Sequence, residues 1–102
     1  MGRVQKREDI LSYIGSRKAI LKNQYHVRKI ALIGSFARNE QTSESDIDLL
    51  IDLEENTPKI YEVKRSLRKE LEEQFGRKVE IASERYLRPY YKKEILQDAI
   101  YV

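Results

Sequence analysis

The sequence contains no cysteine and only one histidine, four glycines and two prolines in 102 residues. Without cysteine there is no disulfide and no cysteine-ligated zinc, and the chain fits a reducing interior. His26, the lone imidazole, sits at the junction between two elements with no second group to pair with, so its default role is structural. No apolar segment near Met1 resembles a signal peptide, and no run approaches the ~20 apolar residues of a membrane span. The expected setting is the cytoplasm, with no membrane partner. Lysine and arginine outnumber acidic residues 20 to 17, giving a net charge of +3, yet they are interspersed and form no basic block. A nucleic-acid partner therefore ranks last. No repeat, low-complexity tract or linker divides the chain, and a single domain over residues 1–102 is expected.

What is present is a folding pattern. Hydrophobic residues make up 40% and charged residues 36%, the composition of a folded domain with a charged surface rather than of a disordered chain. Ile10, Leu11, Ile14, Leu21 and Tyr25 recur at helical spacing, predicting one amphipathic helix from Glu8 to Tyr25 with a weak point at Gly15. Val27 to Ile33 ends in the unbroken run Ile30-Ala31-Leu32-Ile33, the signature of a strand buried on both faces. Gly34 stops it, Ser35 to Arg38 reads as a short helix, Asn39 as its left-handed end and Glu40 to Ser45 as a loop. Ile47 to Leu53 is a second strand, with Asp52 read as a surface charge at its end. Thr57 as N-cap and Pro58 as first helical residue start a long helix with the stripe Ile60, Val63, Leu67, Leu71 and Phe75, ended by Gly76. Lys78 to Ala82 is a third strand. Pro89 starts a last helix whose Ile95, Ala99 and Ile100 pack on the body. The fold class is α/β (α+β), a small mixed sheet of three or four strands flanked by helices.

Two features carry chemistry. Gly34-Ser35 lies at a strand-to-helix turn, where a missing Cβ lets phosphate approach the backbone and the amides opening the helix, with the Ser35 hydroxyl, donate to its oxygens. The plainer reading is an ordinary turn capped by serine. Asp46 and Asp48, spaced by two, put two hard oxygen ligands on one strand face, suited to Mg²⁺. Two like charges at the start of a buried strand are costly without a cation, and a solvated loop rim is the alternative. Ten residues separate Ser35 from Asp46, enough to turn through a short helix and return on a neighbouring strand. Glu80 is a third carboxylate on another strand, or else a solvent-facing residue. Arg38 serves either phosphate or an ion pair with Glu40 or Asp46. Tyr86, Tyr90, Tyr91 and Tyr101 serve either a stacked base or, more commonly, packing against the core or a partner.

Taken together, GSFARNEQTSESDIDLLID and GRKVEIASERYLRPYYKKEILQDAIYV resemble the minimal nucleotidyltransferases of the DNA polymerase beta-like nucleotidyltransferase superfamily, from about Ile30 to Val102. The resemblance implies that fold and Mg²⁺-dependent transfer of AMP from ATP to a hydroxyl, with two metal ions. It implies that Gly34 and Ser35, with Arg38, hold the nucleotide and that Asp46, Asp48 and Glu80 ligate metal and form the catalytic set. It also implies the antitoxin role in a toxin–antitoxin pair, the acceptor being a tyrosine of a HEPN-type toxin. Asn39 replaces the usual glycine and Glu80 the usual aspartate; one extra methylene displaces the carboxylate by about 1 Å, a shift that can cost on the order of 10²-fold in a positioned reaction. Alternatives are an antitoxin that neutralises its partner by binding alone, and transfer to a small hydroxylated compound. The sequence leaves a homo-oligomer open.

Overall fold

The computed structural model describes residues 3–102. Four strands form one sheet in the order β3-β2-β1-β4: β1 (Val27–Ile33), β2 (Ile47–Leu53), β3 (Val79–Ser83) and β4 (Ile100–Tyr101). β1 runs antiparallel to β2 and β4, whereas β2 and β3 are parallel, joined by the crossover helix α4 (Ile60–Phe75). α1 (Arg7–Ser16) and α2 (Lys18–Tyr25) precede the sheet, α3 (Gly34–Ala37) links β1 to the loop before β2, and α5 (Pro89–Asp98) leads into β4. The sheet is mixed and flanked by helices, as the sequence predicts.

Side-chain alternation divides the central strands between two cores. Ile30 and Leu32 of β1 and Ile47, Leu49, Ile51 and Leu53 of β2 face α1, α2 and α4, where they are buried with Ile10, Ile14, Leu21, Leu67, Leu71 and Phe75. Ala31, Ile33 and Leu50 face the other way, onto Ile95, Leu96 and Ala99 of the α5 segment. Asp48 and Asp52 share the parity of Leu50 and so lie on this second, thinner face. Residues with two covered faces must be apolar throughout, which explains the unbroken run in β1.

Four local expectations are corrected. The first helix is interrupted at Arg17, not at Gly15: Arg17 leaves helical geometry (φ −109°, ψ 9°), its guanidinium lying over the Tyr13 ring and bonding Glu70 across to α4. The long helix begins at Ile60, because Thr57 turns its hydroxyl back to the Glu54 carbonyl instead of capping, and Lys59 enters from a left-handed conformation (φ 51°). Ile100 is not helical: it pairs with Leu32 and Tyr101 with Ala31, closing an otherwise open edge of β1. Finally, Asp52 is no surface charge, being only 5% exposed. Arg28 Nε donates to it at 2.8 Å and Arg85 at 3.2 Å, and both guanidiniums remain partly in water.

Asp52→Ala leaves those two cations facing each other across a buried void. A loss of about 1–3 kcal/mol is expected, below the range for fully buried pairs because the arginines are hydrated. Urea unfolding checks it, and nucleotide affinity should not move, since Asp52 stands four residues, roughly 13 Å, along the strand from Asp48.

Candidate active site

β1 delivers the chain to Gly34, where the backbone swings to φ +75° as α3 opens. On the neighbouring strand Asp48 is the ladder partner of Ile33, and on the strand beyond it Glu80 is the ladder partner of Asp48. The row Ile33–Asp48–Glu80 therefore crosses the sheet immediately beside the Gly34 turn. A Cβ placed on Gly34 would stand 2.4 Å from Asp48 Oδ2. Glycine is required here twice over, for the positive φ and for the carboxylate against its Cα.

This row forms the floor of a cleft of about 530 Å³. Gly34 and Arg38 stand on one side and the C-terminal half of α5, with Glu94, Ile95, Gln97 and Asp98, on the other; Ile81 and Ala82 extend the floor. The structure thus brings Gly34, Arg38, Asp48 and Glu80 into one cavity. Ser35 and Asp46 stand outside its lining, one residue beyond Gly34 and at the mouth of β2 respectively. Arg38 is exposed, with Nε 2.7 Å from Glu40 and a second nitrogen 3.8 Å from Asp98 of α5. It therefore makes the pair with Glu40 that the sequence allowed, not one with Asp46. Asn39 adopts φ 59°, as the reading of a left-handed end anticipates.

Electrostatics converge on Asp48. Its pKa is raised by burial first, then by the negative charges of Glu80 and Asp46, with Arg38 opposing. A half-buried carboxylate facing two others is a site of unbalanced negative charge, and charge on this scale is stabilised by a cation. Among the described residues no three acidic or histidine side chains already enclose a metal position. Mg²⁺ is commonly bound through one or two carboxylates together with substrate phosphates and water rather than by a protein cage. Asp48 with Asp46 or Glu80 fits such an ion.

One residue of the site region has no signal in the sequence. Arg77, between Gly76 and Lys78, reads as a solvated cation but is only 6% exposed. Its guanidinium donates to the carbonyls of Val4 (2.6 Å), Ser43 (3.2 Å) and Ser45 (2.8 Å) and lies 5.1 Å from the Phe36 ring centre in α3. One side chain thereby ties α3, which follows the glycine turn, to the loop that delivers Asp46. Arg77→Met orphans those carbonyls, and an expected stability loss of ~2–4 kcal/mol in urea unfolding should accompany a ~10–10²-fold slower transfer measured under metal titration.

The tyrosines fall elsewhere. Tyr86, Tyr90 and Tyr91 are exposed beyond the cleft, and the Tyr101 hydroxyl, which donates to Glu84, has its pKa pushed up to about 12 by burial first and by Glu84 second. His26 ends α2 in a left-handed conformation, its carbonyl accepting from the Glu54 amide at 2.8 Å, a structural role.

Comparison with known proteins gives this geometry a family. The nucleotidyltransferase domain profile matches residues 15–102. A Methanocaldococcus jannaschii protein, MJ1379, named as a candidate protein adenylyltransferase, is 41% identical over 95 residues, spanning 92% of this chain and 95% of its own. Protein adenylyltransferase MntA of Thermococcus cleftensis is 30% identical over 95 residues, spanning 93% and 94%. Among solved structures, that of a candidate minimal nucleotidyltransferase superposes with a TM-score of 0.80 at 28% identity, over 97% of this chain and 98% of the other. A chain of a toxin–antitoxin complex with AMP-PNP shares the fold at a TM-score of 0.66 and 17% identity, over 84% and 69%. With this profile running along most of its length, the chain belongs to the nucleotidyltransferase domain family, among its minimal members, and is a nucleotidyltransferase.

Proposed function

We propose that this protein transfers AMP from ATP to a tyrosine hydroxyl of a HEPN-type toxin, acting in the cytoplasm as the antitoxin of the pair and as a single domain. The observation that carries the reading is the row Asp48–Glu80 lying against the Gly34 turn on the floor of one cleft. The names of the relatives, protein adenylyltransferases, and the toxin–antitoxin complex that shares the fold support the acceptor class.

In this reading the open amides at the start of α3 take triphosphate oxygens, with Gly34 allowing the approach and Ser35 adding a hydroxyl. Arg38, released from Asp98, adds positive charge. Asp48, with Asp46 and Glu80, would hold Mg²⁺, two ions in the family's pattern. When bound, Mg²⁺ supplies the charge that neutralises the triphosphate and the departing pyrophosphate. The acceptor oxygen forms a bond to the α-phosphorus, the bond from that phosphorus to the bridging oxygen breaks, and pyrophosphate leaves with the electron pair. The hydroxyl proton passes to the Glu80 carboxylate, which is exposed to the cleft side and 3.6 Å from Lys78.

Incubation with the protein encoded next door, ATP and Mg²⁺, followed by intact mass measurement, tests the proposal. A gain of one AMP per partner chain is expected. No gain while toxicity is still blocked would replace it with neutralisation by binding alone. Within the same assay Glu80→Gln is expected to slow transfer ~10²–10⁴-fold with a smaller loss of ATP affinity, because the proton acceptor goes together with one of the three metal-facing carboxylates while Asp46 and Asp48 remain. Glu80→Asp, the acid usual in the family, keeps a proton acceptor but moves it by about 1 Å, so its loss should stay at or below ~10²-fold.

A further inference from the structure

β3 is an outer strand of the sheet, hydrogen-bonded among the described residues to β2 alone. The Val79 amide points away from β2, to the Glu72 carboxylate of α4 at 2.9 Å. By the two-residue alternation of a strand, the amides and carbonyls of Ile81 and Ser83 point outward too, along the free edge. Beside that edge runs a groove of about 250 Å³ between β3 and α4, walled by Tyr61, Lys64, Arg65, Arg68 and Ile81. The α4 residues recur at helical spacing and present one stripe to the groove. Lys64 is tied to the Ser83 hydroxyl at 2.9 Å, whereas Arg65 and Arg68 are exposed and have no acidic partner among the described residues. Tyr61 is 81% exposed.

An open strand edge next to unpaired arginines is a template for an extended acidic segment. We propose that the acceptor protein docks here as an added strand, with carboxylates at the two positions flanking the acceptor tyrosine. The flanking positions follow from the sheet. A strand laid on β3, about 4.8 Å away, inherits its two faces. Side chains of one parity point to the face of α4 and meet Arg65 and Arg68. Those of the other parity point to the face of Glu80 and Asp48, extending the row Ile33–Asp48–Glu80 by one member. A tyrosine in that register reaches toward the cleft while its immediate neighbours, on the opposite face, reach the arginines. The edge then supplies backbone hydrogen bonds indifferent to sequence, and the groove supplies the charge that selects.

The inference rests on the protein-acceptor reading, and binding is measured apart from transfer so that the two fail separately. The probes are nine-residue peptides with a central tyrosine in a threonine–valine background, carrying two glutamates either at the adjacent positions or two positions away. In amide NMR titrations the adjacent-glutamate peptide is expected to move the Ile81 and Ser83 resonances and to bind at least ~10-fold more tightly than its isomer of identical composition. Arg65→Glu with Arg68→Glu, both exposed and remote from the nucleotide, should abolish that preference, favour the peptide with lysines in place of the glutamates, and leave ATP affinity unchanged. Unmoved Ile81 and Ser83 amides, equal binding of the two isomers, or a stronger response of the same amides to an oligouridylate would overturn the docking. Shifted amides with no gain of one AMP on the peptide would overturn the transfer reading while the docking stands.

Discussion

Asp48→Asn is expected to reduce nucleotidyl transfer by at least ~10³-fold while raising the thermal stability of the metal-free protein. Both effects come from one position. Asp48 is the residue of the cleft floor that touches the Gly34 turn and faces the other two acids, so removing its charge removes the strongest attraction for a divalent ion and for the phosphates that accompany it. The same charge is unfavourable without an ion. Burial, Glu80 and Asp46 hold its pKa above the ordinary 3.8. A carboxyl whose pKa is higher folded than unfolded binds more protons in the folded state, so stability falls as pH rises from the unfolded value through the folded one. The metal-free wild type should therefore lose stability over that interval, and the asparagine variant should lose the dependence. Melting curves in chelator between pH 3 and 7, with intact-mass assays of transfer alongside, decide the matter. Wild-type activity in the variant would remove Asp48 from the site. Unchanged stability in chelator would mean that the three acids do not oppose one another in the folded protein.

Gly34→Ala is expected to be nearly as damaging by a steric route. The added methyl would lie 2.4 Å from Asp48 Oδ2, a separation that no Cβ keeps, and the backbone at φ +75° is strained for any L side chain. The conformational part costs ~1–2 kcal/mol. The carboxylate must rotate or the strands must part, and a displacement of about 1 Å in a positioned reaction costs on the order of 10²-fold. Nucleotide affinity and transfer should fall together, because the same atom blocks the phosphate approach. The contrast with Asp48→Asn is diagnostic: the glycine variant loses both stability and function, the aspartate variant loses function alone. Urea unfolding and ATP titration of the two proteins side by side would show it.

Sequence patterns carried much of this arrangement. Runs of branched aliphatic residues place β1 and β2 at the centre of the sheet, and the parity of Asp48 within β2 puts it on the face opposite Leu49 and Ile51. Gly34 and Gly76 both take positive φ where the chain leaves a strand and a helix, and Asn39 does so without being glycine. These are local matters, decided by the steric reach of one residue and the period of its neighbours, and the sequence states them directly.

Other features depend on partners far along the chain. Asp52 shares its pattern with Asp48, yet one faces the cleft and the other is buried, because Arg28 and Arg85, 24 and 33 residues away, converge on it. Arg77 looks like any charged residue after a helix; it is buried because the Ser43 and Ser45 carbonyls of the loop before β2 accept from its guanidinium. Ile100 and Tyr101 are a strand through their pairing with Leu32 and Ala31, about seventy residues earlier in the chain. Side-chain chemistry and strand parity, both legible in the chain, are what nominate the residues proposed to hold phosphate and metal. That Glu80 is the ladder partner of Asp48, and that both line one cleft with Gly34 and Arg38, could not be read from the chain, because register between strands is set by the packing of α4 and α5 on the two faces of the sheet.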